Sequence, residues 1–515
     1  MTDPGTFPGE LAAAARTDGD RPFLRLTPES ACTFGEMERL SARVASGLLG
    51  LGLRPGDRIA VSAPNQPEWL ALFFGATRIG LVVVTLNPRY RETELEYMLN
   101  QSGARAVVTV PALPDFDFAA FYAGFRDRVP SVEHVITLGA EFDELAKSPV
   151  DAEALRAAES GVGPDTPAVI LYTSGTTGRP KGAVLTHGSM LAAARGQAER
   201  LDMGPDEVFI GAMPLNHVGG ITCTIAASLV ARGSVVLLPA FVPAEAVRTI
   251  AEHRVTVFGG VPTMFTLAFA RPEFAGTDVS SVRIALVGGS NADPALCVQM
   301  AERFPGARLS NLYGLSEVSG GCVLSAPGDD LATVSRTLGT PVAGVEVRVV
   351  DLEGREVTAG GEGELHVRGP GVARGYWDLP EESAETFLPG GWLATGDMVA
   401  LEPDGHLVLR GRKKEMFLQG GYNVYPVEVE NVLTAHPAVA MAAGIGVPDP
   451  VLGEIGRYYV VLKPGETADP EELIDFCRAR LADYKAPKQL EIATELPLTP
   501  AGKIAKAALR AAASA

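Results

Sequence analysis

The stretch Tyr172–Gly182, "YTSGTTGRPKG", places three glycines, four serine or threonine hydroxyls and one lysine within eleven residues. It follows the apolar run 168–171, which predicts a buried strand that ends in this loop. Glycines let a backbone approach an anion closely, and backbone amides and hydroxyls donate hydrogen bonds to it. We therefore predict a phosphate-binding loop to which Lys181 adds a positive charge. The other predicted binding residues of this loop are Thr173, Ser174, Gly175, Thr176 and Thr177.

Two alternatives for this loop can be weighed from its spacing. A Walker A loop has its lysine directly after the last glycine, and a serine or threonine follows to hold magnesium. Here Arg179 and Pro180 precede Lys181, and Gly182 follows it, which argues against a P-loop nucleoside triphosphatase. A flexible surface linker is the other alternative, but a linker has no need for four hydroxyls and a lysine together.

Length and composition indicate a multidomain globular enzyme. The chain has 515 residues, too many for one hydrophobic core, so two or more domains are expected. Its 46% hydrophobic and 21% charged residues are ordinary for such a protein. The net charge of −18 disfavours binding to nucleic acid or to an anionic membrane, since both require a basic surface.

The sequence favours a cytoplasmic protein. Its N-terminus lacks the basic and apolar regions of a signal peptide. The five cysteines form no CxxC pair and no metal-ligand spacing, so we expect them to be buried thiols in a reducing compartment. The uncharged segment 208–231 approaches the length of a membrane span, but Pro214, Asn216 and His217 interrupt it. A buried strand, a loop and a buried helix are predicted there instead.

The order of the elements predicts an α/β fold with a small C-terminal domain. Thr33 and Glu36 form a capping box ahead of an amphipathic helix, and helices then alternate with short strands such as "RIAVSA", "LVVVTLN" and "RIALVGG". This alternation is typical of parallel-rich sheets, whose ligands gather at the carboxyl ends of the strands. After about Thr333, alternating segments predict an antiparallel β subdomain. A small α+β domain follows, with a helix capped by Asp469.

Five stretches, in this order, make the chain recognisable: "YTSGTTGRPKG", "NLYGLSE" (311–317), "GGWLATGD" (390–397), "GRKKEMFLQGGYNVYP" (411–426) and "PLTPAGKIAK" (497–506). They resemble the motifs of the acyl-adenylate-forming enzymes, which include acyl-CoA synthetases, peptide-synthetase adenylation domains and firefly-luciferase-like enzymes. The chain looks most like a free-standing acyl-CoA synthetase, and the resemblance covers nearly all of it. It implies an N-terminal adenylate-forming domain at 1–412, a hinge at 413–414 and a mobile C-terminal domain at 415–515.

The resemblance implies activation of a carboxylic acid by ATP, with release of pyrophosphate, and transfer of the acyl group from acyl-AMP to coenzyme A. Charge accumulates around the α-phosphate in such a reaction, so a positioned cation and Mg²⁺ are required. By resemblance, Lys503 is that cation and bridges the carboxylate and the α-phosphate. Glu317 would bind magnesium with Thr173, and Ser316 would contact the α-phosphate.

The resemblance also assigns residues to the nucleotide and to the second half-reaction. Tyr313 would stack on adenine, Asp397 would accept the ribose hydroxyls with its two carboxylate oxygens, and Arg412 would reach the ribose or a phosphate. Lys414 would be the hinge residue about which the small domain rotates, which withdraws Lys503. The remaining assignments are Asn311, Gly314, Gly289, Ser290 and Asn291 around the adenine, and Gly420 and Gly421 beside the pantetheine tunnel.

The acyl pocket is less well defined by the sequence. "PLNHVGG" (214–220) lacks the aspartate with which amino-acid-activating relatives hold an ammonium group. His217 would contact the carboxylate or gate the tunnel, although a hydrogen-bonded structural histidine is an alternative. Without a fixed cation in the wall, we predict a monocarboxylic acid with a medium-chain, alicyclic or aromatic body. The predicted wall residues are Asn216, His217, Gly219, Gly220, Val261, Met264, Gly288 and Val318.

The motifs do not identify the acceptor of the acyl group or the oligomeric state. We expect coenzyme A, because no carrier domain with a phosphopantetheine-serine motif follows in the sequence. An amine or a separate carrier protein would use the same first half-reaction. A non-catalytic nucleotide-binding protein would be expected to lack Lys503 or Glu317, which are both present, and nothing points to an oxidative luciferase. No nucleic-acid or membrane partner is expected, and a homodimer is one assembly that the sequence allows.

Overall fold

The computed structural model describes residues 5–113, 116–173, 179–289, 294–498 and 504–513. Its strands are β1 (Pro22–Thr27), β2 (Ser30–Thr33), β3 (Arg58–Ser62), β4 (Val82–Leu86), β5 (Ala106–Thr109), β6 (Ala112–Leu113), β7 (Phe116–Asp117), β8 (His134–Thr137), β9 (Pro167–Thr173), β10 (Lys181–Thr186), β11 (Val208–Gly211), β12 (Ser234–Leu237), β13 (Val257–Gly260), β14 (Ile284–Gly288), β15 (Arg308–Leu315), β16 (Gly320–Leu324), β17 (Thr340–Pro341), β18 (Glu346–Val350), β19 (Glu362–Arg368), β20 (Phe387–Leu388), β21 (Trp392–Leu401), β22 (Leu407–Arg412), β23 (Phe417–Gln419), β24 (Tyr422–Val424), β25 (Val439–Asp449), β26 (Gly453–Leu462) and β27 (Gln489–Ile492). Its helices are α1 (Phe7–Asp18), α2 (Phe34–Gly50), α3 (Pro67–Arg78), α4 (Glu92–Ser102), α5 (Phe118–Phe125), α6 (Ala140–Ala146), α7 (Ala152–Glu159), α8 (His187–Arg200), α9 (Val218–Gly220), α10 (Ala227–Ala231), α11 (Pro243–Glu252), α12 (Pro262–Phe269), α13 (Pro294–Arg303), α14 (Leu331–Arg336), α15 (Pro380–Thr386), α16 (Pro426–Thr434), α17 (Pro470–Arg478) and α18 (Lys506–Ala513).

Two large sheets form the first part of the chain. A nine-stranded sheet has the order β17-β16-β15-β14-β13-β11-β12-β1-β2, and a six-stranded sheet has the order β10-β9-β4-β3-β5-β8. The central strands of both sheets are parallel, and antiparallel pairs lie only towards their edges. The parallel-rich α/β prediction is therefore confirmed.

Both sheets are covered on both faces. On β3, Ile59 and Val61 belong to the largest apolar cluster, which also includes residues of β11–β14, α2, α3 and α8, so that helices fill the space between the two sheets. Ala60 of the same strand faces away and packs with α4 and α5. On the outer face of the nine-stranded sheet, Ile210 and Phe258 pack with α11–α13. This two-sided burial explains why the parallel strands are nearly continuous apolar runs.

The last third of the chain contains the antiparallel subdomain and the small C-terminal domain. Strands β18, β19, β21, β20 and β22 form one five-stranded antiparallel sheet. Strands β24, β23, β26, β25 and β27 form a second five-stranded sheet, which is antiparallel except for the parallel β26–β27 pair, and α16–α18 pack on it. Thr33 and Glu36 form the predicted capping box, and the Asp469 carboxylate caps α17 as expected.

The structure also tests the predictions for the uncharged segment 208–231 and for the cysteines. The segment 208–231 forms strand β11, a loop, α9, a short π-helix at Ile221–Ala226 and α10, as predicted. All five cysteines are free thiols, and four of them are buried. Of the described helices, none has both the length and the apolar character that crossing a membrane requires.

Candidate active site

The motif Tyr172–Gly182 joins strands β9 and β10, which form a hairpin. Strands β9 and β10 are antiparallel, with Lys181 opposite Thr173, and the Thr173 hydroxyl donates a hydrogen bond of 3.4 Å to the Lys181 carbonyl oxygen. A P-loop joins a strand to a helix, so the hairpin agrees with the rejection of that alternative. The predicted binding residues Ser174, Gly175, Thr176 and Thr177 lie outside the described residues.

Tyr376 contacts both Lys181 and Glu317. The Lys181 Nζ lies 5.2 Å from the centre of the Tyr376 ring, and the Tyr376 hydroxyl donates a 2.9 Å hydrogen bond to Oε1 of Glu317. Burial, and secondarily the Glu317 carboxylate, raises the pKa of Tyr376, which keeps this hydroxyl protonated as a donor. The arrangement orients Glu317, the proposed magnesium ligand, near Lys181 of β10.

A second cluster joins three more of the predicted residues. The Tyr313 hydroxyl donates to Oδ2 of Asp397 at 2.6 Å, and Nε of Arg412 lies 2.6 Å from Oδ1 of the same carboxylate. Asp397 is 3% exposed and stands opposite Arg412 in the β21–β22 register. Burial, and then the Asp397 charge, raises the pKa of Tyr313 well above its usual value. Ribose hydroxyls would have to use further lone pairs of Asp397 or displace these partners.

Other predicted nucleotide residues lie along β14, β15 and the turn after it. The Asn311 amide donates 2.9 Å to the Thr337 carbonyl oxygen, so part of this side chain has a structural role. A Cβ at Gly314 would lie 1.8 Å from the Gly320 carbonyl oxygen, which requires glycine there for β15 and β16 to approach. Ser316 is buried at the start of the short helix 316–318. Ser290 and Asn291 lie outside the described residues.

The predicted acyl-pocket residues form local contacts. Nδ1 of His217 accepts a 3.1 Å hydrogen bond from the Gly219 amide and thereby caps α9. This bond requires the tautomer with the proton on Nε2 and supports a structural role for the ring. The Thr85 hydroxyl donates 3.5 Å to the Asn216 carbonyl oxygen. The other described wall residues, all fully or partly buried, are Gly219, Gly220, Val261, Met264, Gly288 and Val318. Gly289, which the resemblance assigns to the adenine, is exposed.

Lys414, the predicted hinge residue, lies within electrostatic range of two other predicted cations. Burial lowers the pKa of Lys414, the charges of Lys181 and Arg412 lower it further, and the carboxylates of Glu385 and Glu364 act in the opposite direction.

The C-terminal domain supplies the remaining predicted residues. Gly420 and Gly421, with φ of 61° and 85°, form the two-residue turn between β23 and β24, and left-handed conformations at both positions favour glycine. Lys503 lies outside the described residues. The chain on either side of it is held by an antiparallel bridge between Leu498 and Ile504.

Tyr376 is the candidate site residue that the sequence did not single out. It lies in "ARGYW" (373–377), and a tyrosine between a glycine and a tryptophan is equally consistent with a core aromatic. An antiparallel backbone bridge between Tyr376 and Ala183 of β10 places the tyrosine beside the β9–β10 hairpin. None of the five motifs includes this tyrosine, and only the fold makes it a neighbour of the β9–β10 hairpin.

We expect Tyr376→Phe to reduce kcat/KM for ATP about tenfold, because one hydrogen bond to a charged group is worth roughly 1.4 kcal/mol. The protein should otherwise fold normally, since the ring remains. Steady-state pyrophosphate release at varied ATP measures the effect. Tyr122→Phe, a buried tyrosine of α5, is the matched control. Equal kinetics of the two variants would contradict a role for the Tyr376 hydroxyl.

Magnesium would need ligands from the substrate as well as from the protein. Within the described ranges, no group of three or more histidine, cysteine, aspartate or glutamate side chains could hold a metal ion. Mg²⁺ is commonly held by one or two carboxylates together with substrate phosphates. Glu317, which Tyr376 links to Lys181 of the β9–β10 hairpin, could be such a carboxylate.

Comparison with known proteins gives a consistent family assignment. Residues 11–377 match the AMP-binding enzyme family, and residues 428–503 match the AMP-binding enzyme C-terminal domain. A feruloyl-CoA synthase from Amycolatopsis sp is 38% identical over 481 residues, which cover 93% of this chain and 94% of that protein.

Solved structures support the same assignment. The anthranilate CoA ligase AuaEII in complex with anthranoyl-AMP matches with a TM-score of 0.89 and 29% identity, over 99% of this chain and 97% of that one. The amide bond synthetase McbA from Marinactinospora thermotolerans matches with a TM-score of 0.85 and 30% identity, over 98% and 99%. The chain therefore belongs to the AMP-binding family of adenylate-forming enzymes, and within that family to the acid–thiol ligases that resemble acyl-CoA synthetases.

Proposed function

We propose that this enzyme converts a compact apolar monocarboxylic acid into its coenzyme A thioester through an acyl-adenylate. Two side-chain clusters carry the proposal: Lys181 with Tyr376 and Glu317, and Asp397 with Arg412. We propose that both clusters border one nucleotide site. Each group suits one part of ATP: the cations suit the phosphates, the carboxylate suits the ribose, and Glu317 suits the metal.

In the first half-reaction, a carboxylate oxygen of the acid attacks the α-phosphorus of ATP. The bond from this phosphorus to the bridging oxygen breaks, and pyrophosphate leaves. Lys503 neutralises the charge that develops around the α-phosphate, and Lys181 and Arg412 hold the nucleotide in place. Bound Mg²⁺, held by Glu317 with Thr173, would screen the phosphate charge.

In the second half-reaction, the small domain rotates about Lys414 and withdraws Lys503. The sulfur of coenzyme A attacks the acyl carbon, the carbon–oxygen bond to AMP breaks, and the thiol proton passes to solvent. AMP and the acyl thioester are the products. Gly420 and Gly421 would border the pantetheine in this orientation, because their turn allows a close approach of the backbone.

The acid is proposed to be aromatic or alicyclic. The described pocket wall contains Val261, Met264 and several glycines and offers no fixed cation, so a second carboxylate would be buried without a partner. The names of the feruloyl-CoA synthase and of the anthranilate CoA ligase support an aromatic substrate. The likeness to the amide bond synthetase McbA supports an amine acceptor as the second candidate.

A pyrophosphate-release screen over carboxylic acids, with and without coenzyme A, tests the proposal. We expect the best acid to release pyrophosphate and AMP, and mass spectrometry to identify its coenzyme A thioester. A matched reaction with amines in place of coenzyme A tests the second candidate. Formation of ADP instead of AMP would overturn the adenylate mechanism, and amide formation without thioester would replace coenzyme A as the acceptor.

A further inference from the structure

Two side chains of helix α4 bond the two arms of the β9–β10 hairpin. The Tyr97 hydroxyl donates a 3.1 Å hydrogen bond to the carbonyl oxygen of Pro180, the residue before Lys181. On the other arm, the Tyr172 hydroxyl donates a 2.5 Å hydrogen bond to Oε1 of Gln101. Tyr97 and Gln101 are called the α4 pair below.

Gln101 also bonds the segment that carries Tyr376. Its Nε2 donates 2.7 Å to the Trp377 carbonyl oxygen, and the Trp377 amide donates 2.7 Å to the Gly182 carbonyl oxygen of β10. A carbonyl oxygen only accepts hydrogen bonds, so the Gln101 amide must direct its nitrogen towards Trp377 and its oxygen towards Tyr172. One carboxamide on α4 therefore joins β9 to the segment beside β10.

Helix α4 is itself firmly held. Its Leu95, Met98 and Leu99 are buried in one apolar cluster with residues of β4 and β9, so the helix packs on the outer face of the six-stranded sheet. The two members of the α4 pair are four residues apart in sequence, which places them on one side of the helix. The α4 pair therefore connects the hairpin to a rigid part of the sheet.

The α4 pair lies next to the cations of the phosphate-binding motif. The Arg179 guanidinium lies 5.9 Å from the centre of the Tyr97 ring. On the side of Gln101, the bonded segment brings the centre of the Tyr376 ring to 5.2 Å from Nζ of Lys181. A shift of either contact would therefore displace a positive charge that is assigned to ATP.

We propose that the residues of the α4 pair are positioning residues, which hold Arg179 and Lys181 in place for the β- and γ-phosphates of ATP. The inference rests on the proposed function, in which this motif binds the polyphosphate. Each member of the pair acts through the backbone carbonyl that it bonds rather than by touching the nucleotide. Contacts between cations and phosphates depend steeply on distance, so looser anchoring of the two cations weakens them.

AMP should not depend on the α4 pair. It lacks the β- and γ-phosphates, and its ribose is assigned to Asp397, which Tyr313 and Arg412 hold on a different sheet. A residue with a merely structural role would instead affect ATP and AMP alike.

Equilibrium binding of ATP and of AMP tests the inference without use of the reaction. Tyr97→Phe and Gln101→Met should each weaken ATP binding about tenfold, the loss expected for one hydrogen bond, and leave AMP binding unchanged. Isothermal titration calorimetry with Mg²⁺ present measures both affinities. Methionine has a similar length and no charge, so a weaker affinity could not come from added electrostatic repulsion.

Asn100→Leu is the matched control on the same helix. Nδ2 of Asn100 donates 2.9 Å to the Arg128 carbonyl oxygen, so this variant removes the same kind of bond at a place away from the hairpin. It should leave the ratio of the ATP and AMP affinities at the wild-type value. Thermal unfolding shows which variants fold, and the conservative Tyr97→Phe still tests the inference if Gln101→Met does not fold.

Two results would overturn the inference: wild-type ATP affinity in the α4 variants, or an equal loss of ATP and AMP affinity. A wild-type enzyme that releases no pyrophosphate with any carboxylic acid would instead overturn the proposed function.

Discussion

Replacement of Lys503 by alanine is expected to lower acid-dependent pyrophosphate release by about 10²–10³-fold, the usual cost of removing one positioned charge that stabilises a transition state. The substituted side chain is assigned to the α-phosphate and carboxylate, where charge develops during the attack. ATP binding should fall far less, since Lys181, Asp397 and Arg412 remain. Stopped-time assays of pyrophosphate and direct nucleotide-binding measurements separate the two effects.

The same variant should keep its second half-reaction. With acyl-AMP supplied, Lys503→Ala should form the thioester at close to the wild-type rate, because the proposed rotation of the small domain withdraws this lysine before the thiol attacks. Thermal unfolding near the wild-type temperature would show that the fold is intact. Pyrophosphate release at the wild-type rate would contradict the assignment of Lys503 and leave the nucleotide site without its proposed catalytic cation.

Lys414→Pro is expected to impair the opposite half-reaction. Proline fixes φ near −65° and removes the backbone N–H, so the backbone of the proposed hinge residue could no longer rotate freely. Thioester formation from acyl-AMP should fall by about 10²-fold, the cost expected when reacting groups are misplaced. Adenylate formation should persist, because the domain would be arrested rather than unfolded.

Lys414→Ala is the matched control, because it removes the charge but keeps backbone freedom. We expect it to form the thioester much faster than Lys414→Pro. A change in kcat/KM for ATP in the alanine variant would reflect the loss of a positive charge near Lys181 and Arg412. Equal losses of both half-reactions in the proline variant would argue against a pivot at this residue.

Local sequence patterns predicted much of the fold because their physical causes are local. The apolar run 168–171 lies in β9, and the spacing of Thr33 and Glu36 gave a correct helix start. The alternation of helices with short strands indicated parallel-rich sheets, and the alternating apolar and polar residues after Thr333 indicated antiparallel strands. Patterns of this kind depend on the period of a helix or a strand and need no knowledge of distant partners.

The candidate site could be predicted in its parts but not in its contacts. Lys181, Glu317, Asp397 and Arg412 were all named from motifs, yet no pattern indicated that Tyr313 would bond Asp397 or that Tyr376 would orient Glu317. His217 is a further example. The motif named it as a wall residue of the acyl pocket, and the structure adds that its Nδ1 caps α9.

The motifs were enough to indicate the family, the order of the domains and the chemical type of nearly every predicted site residue, because glycine, hydroxyl, carboxylate and lysine each bring fixed chemistry to a motif. Which of these groups are in contact depends on how the whole chain packs. Packing brings Tyr376 to Lys181 and Glu317, and Tyr313 to Asp397. Hydrogen bonds and ion pairs act over a few ångströms, so partners far apart in sequence become neighbours only when the sheets and helices have packed.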